Sequence, residues 1–216
     1  MKAAAFWAMA LPLLAAPSPR LIYTKTFPHS SPEYLKLVID RSGALQYSEA
    51  PNDPQPVTAH LSDSDTAQLF DLAGQLNYFK TPLESGLKVA NTGKKVFRYE
   101  DGAGASSEET FNYSIDEAAQ KLLAKLEDIA SSERAYIDLD RTVHFDKLGV
   151  NDALAEIEAL WLRKELAAPD QFVPLLTRIA NHESFMHLAR ERAARLKDEF
   201  SKPIAASDTG TVANQQ

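Results

Sequence analysis

The sequence predicts an α+β protein: an antiparallel sheet with two helices packed on one face, followed by a C-terminal helical hairpin or small bundle. Three observations carry that prediction. Apolar and polar residues alternate in short runs between Leu21 and Tyr113, the period of half-buried strands. Two runs with helical spacing interrupt those strands. Beyond Ser132 helical runs follow one another with brief links.

The elements follow in order. Leu21, Tyr23 and Lys25 alternate with Ile22, Thr24 and Thr26, and Leu35, Leu37 and Ile39 alternate with Lys36, Val38 and Asp40, giving two strands. Asp40-Arg41-Ser42-Gly43 is a turn leading into Ala44-Leu45-Gln46-Tyr47, and the stretch from Pro51 to Pro56 is a loop. Ser62 offers an N-cap with Asp65 three residues on, opening a helix from about Asp63 to Asn77 with Leu69, Leu72, Ala73 and Leu76 on one face. Lys95–Tyr99 and Thr110–Tyr113 form a further strand pair, in which Phe97 and Tyr99 are expected to face Phe111 and Tyr113. Ser114 with Glu117 reads as a capping box for a helix ending near Ile129. Residues 133–148 fit both alternation and a helix, and we favour a separate helix broken at Gly149. Helices over 152–167 and 171–180, and a last one carrying Phe185, Ala189, Ala193, Leu196 and Phe200, complete the bundle. The expected division is therefore a signal peptide over 1–19, an α+β domain over 20–131, a helical domain over 132–202 and a disordered tail over 203–216.

Composition excludes several function classes. With 44% apolar and 25% charged residues in 216, the chain should bury a substantial core. Its 23 Lys and Arg against 30 Asp and Glu leave a net charge of −7. The excess is −5 over 20–131 and −2 over 132–202, so neither part is a basic module and nucleic acid is not an expected partner. The absence of cysteine excludes disulfides, thiolate metal sites, cysteine nucleophiles and a lipid-modified cysteine. Met1-Lys2 precedes a largely apolar stretch from Ala3 to Ala16, followed by Pro17-Ser18-Pro19-Arg20, the pattern of a secretory signal. Fourteen residues span only about 21 Å as a helix, short of the ~30 Å hydrocarbon core, so no stable membrane span is expected after cleavage. Cleavage after Ala10 or after Ala16 remains open, and the chain is expected to be exported, periplasmic or secreted.

Candidate chemistry is sparse. His182-Glu183-Ser184-Phe185-Met186-His187 resembles a zinc-protease signature, but its histidines are five residues apart, about 140° around a helix, where four residues would bring them to ~40°. A non-helical site could still use His182, Glu183 and His187 as metal ligands, the basis of a runner-up reading as a metal-dependent hydrolase. Asp138-Leu139-Asp140 fails as a calcium loop because Val143 and Gly149 stand where Gly and Glu are required. Gly102-Ala103-Gly104 sits between strands and reads as a hairpin loop, Ser85 lacks the flanking glycines of a nucleophile elbow, and Asp63 and Asp65 read as capping acids. The small, basic run Gly86–Lys95 is either a contact for an acidic partner or a lysine-bearing edge that discourages strand addition. No catalytic residue and no cofactor are expected.

The order of elements over residues 33–130 is carried by three segments. They are Asp40-Arg41-Ser42-Gly43 in the first hairpin, Tyr78-Phe79 after the first helix and Phe111-Asn112-Tyr113 before the second. That layout resembles the emfourin-type metalloprotease inhibitors, small exported bacterial domains. The resemblance implies a metalloprotease inhibitor as an alternative function. The leading expectation is an exported, non-catalytic module that binds another protein of the cell envelope or medium.

Overall fold

The structure, a computed structural model, describes residues 18–202; the expected signal segment up to residue 17 and the expected tail over 203–216 lie outside the described residues. The fold is α+β. Six strands, β1 (Arg20–Thr26), β2 (Tyr34–Asp40), β3 (Ala44–Ser48), β4 (Val57–His60), β5 (Lys94–Glu100) and β6 (Ser106–Phe111), form one antiparallel sheet in the order β4-β3-β2-β1-β5-β6. Five helices follow or interrupt it: α1 (Asp63–Gln75), α2 (Glu117–Phe145), α3 (Val150–Arg163), α4 (Val173–Asn181) and α5 (His187–Phe200). Among the described residues no helix is long and apolar enough to cross a membrane.

The alternating side chains do what their period requires. Leu21, Tyr23, Leu35, Leu37, Ile39, Leu45, Tyr47 and Phe97 are buried on one face, against Leu69, Phe70 and Ala73 of α1 and Ala119, Leu122, Leu126 and Ile129 of α2. The turn before β3 is built by Asp40, whose Oδ1 accepts from Ser42 N at 2.8 Å and Ala44 N at 3.1 Å. Gly43 then adopts φ +90°, and a Cβ there would lie 2.7 Å from the Leu61 carbonyl oxygen, so only glycine fits. After α1 the chain turns through Asn77, Tyr78 and Phe79, all left-handed at φ 48°, 51° and 62°. This unfavourable backbone is held by burial of Phe79, by Tyr78 stacked on Tyr99 at 4.4 Å, and by a hydrogen bond from the Ser107 hydroxyl to the Tyr78 carbonyl.

Several expected elements change. Val57–His60, between the expected loop and the first expected helix, is a further strand pairing with Ala44–Tyr47. Strand β6 starts earlier, so Phe97 lies opposite Glu109 and Tyr99 opposite Ser107; Phe97 meets Phe111 on the diagonal at 4.9 Å, while Tyr113 lies beyond the strand. The cap of α2 is Asp116, whose Oδ1 accepts from Ala119 N at 3.0 Å, in place of the expected Ser114 and Glu117 box. Above all, the helix expected to end near Ile129 and the separate one over 133–148 are one helix of 29 residues, about 43 Å long. Its first half covers the sheet, and its second half, with Leu139 and Val143, enters a second core formed with Leu154, Ile157, Phe172, Leu176, Ile179, Ala193 and Phe200.

The basic run after Gly86 is also resolved. Lys88 and Lys94 are exposed, but Lys95 is buried on the inner face of β5. Its ammonium donates to Thr92 Oγ1 and the Asn112 carbonyl, both at 2.8 Å, and to the Gly93 carbonyl at 3.2 Å. Three donors meet three acceptors, so this lysine is an internal clamp between the loop and the end of β6. Burial, with the Lys25 charge beside it, holds its pKa below the ordinary 10.5. Lys95→Met keeps the stem and leaves those acceptors unpartnered; we expect a loss of about 1–3 kcal/mol in urea unfolding, with m unchanged.

Candidate binding surface at the end of the helical module

Two turns of the helical module come together through a side-chain hydrogen bond. One joins α2 to α3 through residues 146–149. The other joins α4 to α5 through residues 182–186. The first is closed by Asp146, whose carbonyl and Oδ1 both accept from Gly149 N at 3.1 Å; a Cβ on Gly149 would lie 2.6 Å from Asp146 Oδ2 and would displace that carboxylate. The second is closed by His182, whose Nδ1 accepts from the Ser184 hydroxyl at 2.8 Å, while its carbonyl accepts from Phe185 N at 3.2 Å. Lys147 ties the two together. Its ammonium donates to Ser184 Oγ at 2.9 Å and stands 5.7 Å from the centre of the buried Phe185 ring.

On these turns and the helix ends beside them large apolar side chains stand in solvent: Phe145 is 86% exposed, Leu148 76%, Leu188 56% and Met186 42%. Single exposed apolar residues are ordinary on a protein surface. Here Leu148 and Met186 lie on two turns joined by a hydrogen bond, with Phe145 and Leu188 on the adjoining helix ends, so this end of the module is the candidate interaction surface. Its flank is ordered by His144. The imidazole Nδ1 lies 2.8 Å from the Asp140 carbonyl oxygen and its Nε2 3.0 Å from Arg178 Nη1, so the ring links α2 to α4.

The residues singled out from sequence are placed as follows. His182 caps the turn, Glu183 is exposed, and His187 opens α5 with its Nδ1 3.4 Å from Glu191 Oε2, so each of the two histidines has a partner outside the expected trio. Among the described residues no group of three or more His, Cys, Asp or Glu is placed to hold a metal ion. Asp138 pairs with Arg141 at 2.9 Å on an exposed face of α2, Asp65 hydrogen-bonds the Ser62 cap, and Asp101 Oδ1 accepts from Ala103 N and Ala105 N inside the hairpin loop. Ser85 Oγ accepts from Leu87 N at 3.2 Å, within its loop.

The apolar patch itself escaped the sequence reading, which treated Phe145 as part of an ambiguous pattern. A usable signal was present. Once Leu139 and Val143 are assigned to the inner face of a helix, Phe145 falls about 200° from Val143 and must point outward. No protein-family model matches this chain, and no curated protein matches it either.

Proposed function

We propose that the chain is an exported, non-catalytic protein that binds another protein of the cell envelope or medium through the apolar end of its helical module. One observation supports this reading most: Phe145, Leu148, Met186 and Leu188 stand exposed on, or one or two residues beside, two turns held together by Lys147 and Ser184. Burying such side chains against a partner recovers roughly 25 cal/mol for each Å² removed from water, and the internal hydrogen bonds of both turns mean that little ordering is required on binding. Lys147, Glu183 and His187 are exposed on the same two turns or beside them, which suits a protein partner that meets apolar side chains together with charges. Export rests on the signal-like residues 1–19.

The test is a double variant, Phe145→Ser with Leu148→Ser. Both side chains make little contact within the fold, so unfolding free energy should move by no more than about 0.5 kcal/mol each. Retention of the partner should fall sharply. If the retained partner is a metallopeptidase whose activity is titrated away by the wild type and not by the double variant, the binding is inhibition.

A further inference from the structure

The second half of α2 begins with two fully buried polar residues, Ser132 and Glu133. Both hold the segment that connects α3 to α4. Ser132 Oγ accepts from Ala167 N at 2.8 Å, and Glu133 Oε1 accepts from Gln171 Nε2 at 2.8 Å. The remaining side-chain oxygens of that second pair, Glu133 Oε2 and Gln171 Oε1, are both buried and both without a hydrogen-bond partner. With the carboxyl ionised, two buried acceptors on side chains already joined through their other atoms are costly, because neither oxygen can donate to the other. One proton resolves both. A carboxylic acid and a primary amide are complementary, each donating once and accepting once, so a proton on Oε2 satisfies both orphan atoms together.

We propose that Glu133 is protonated in the folded protein and donates from Oε2 to Gln171 Oε1, closing a two-hydrogen-bond ring that latches the connector onto α2, and that loss of this proton loosens the latch. No covalent step is involved: a proton is exchanged with solvent. Gln171 also lines an open cleft of about 560 Å³ beside the start of α1, which brings water to the outer side of the pair. Burial, opposed by the bond from Gln171, pushes the Glu133 carboxyl up from its ordinary 4.5 to about 7. Other titratable groups surround it. Tyr47 on β3, hydrogen-bonded to Glu49, and Tyr136 on α2, beside Asp140, both feel the Glu133 charge. Arg134 pairs with Glu49, and His60, Asp63, Asp65 and Asp170 line the cleft. None of these supplies a cation bonded to Glu133.

The sign follows. A carboxyl that holds its proton more tightly when folded contributes stability that is fully present below pH 4.5 and declines as pH rises, until the folded group itself ionises near 7. The quantity to read is the difference between wild type and Glu133→Gln, which cancels every group the two proteins share and whose amide reproduces the protonated acid at every pH. The full-length wild type should lose on the order of a hundredfold in its folding equilibrium constant relative to that variant between pH 4.5 and 8. A second measurement does not depend on the variant folding. In carboxyl-labelled wild type, one glutamate carbon should titrate near pH 7 and amide protection at Ala167 should fall with it. Parallel pH profiles for wild type and variant, or glutamates that all titrate below pH 5.5, would overturn the proposal.

Discussion

Phe97→Ala is expected to lower the free energy of unfolding by about 3–5 kcal/mol, the range for deleting a fully buried phenylalanine. Phe97 is 1% exposed at the centre of the sheet's inner face. Its ring meets Tyr23 at 5.8 Å, Phe79 at 5.2 Å and Phe111 at 4.9 Å, so one truncation removes three aromatic contacts from three segments. The neighbours cannot close the gap easily. Tyr23 is anchored by its hydroxyl, which donates to Glu127 Oε1, and Phe79 is fixed by the left-handed turn before it. Urea unfolding followed by circular dichroism should show the midpoint falling at constant m.

Phe172→Ala should cost a similar amount in the other core. This ring is fully buried, edge-on to Tyr136 at 5.6 Å and to Phe200 at 6.1 Å, and so joins α2, α5 and the connector before α4. The two substitutions together examine whether the protein unfolds as one unit. The cores share α2, and the connector that leads to Phe172 also places Ala167 and Ala168 against the core beneath the sheet. A single transition is therefore expected. Trp161, packed on Phe200 at 5.0 Å, reports on the helical core. Its fluorescence midpoint should shift with Phe97→Ala, a substitution in the other core, by the same amount as the circular dichroism midpoint. Divergent midpoints would mean that the two halves unfold separately.

The sheet was legible because its central strands alternate cleanly, Leu21-Tyr23 and Leu35-Leu37-Ile39 inward, and a period of two admits no other burial. Strand β4 was not, since Val57-Thr58-Ala59-His60 is four residues long and at the sheet edge, with no residue fully buried. The continuity of α2 was hidden by Ser131-Ser132, which local chemistry reads as a break. Tertiary contact overrides it: the Ser132 hydroxyl donates to the Asp128 carbonyl and accepts from Ala167 N, and so is satisfied within a helix. Glu133 was unreadable for the same reason, because only the folded connector removes it from water. In the His182–His187 string the two residues are not on one helix: His182 follows α4 in the turn and His187 opens α5, so helical spacing does not describe their arrangement.

The binding role of the apolar end is tested most directly by comparative capture. Tagged full-length wild type and the Phe145→Ser, Leu148→Ser double variant would be incubated with envelope and secreted fractions of the source organism, and retained proteins quantified by mass spectrometry. A partner should be held by the wild type and depleted about tenfold or more by the variant, the loss expected when two apolar anchors are removed. Equal retention by both proteins would contradict it.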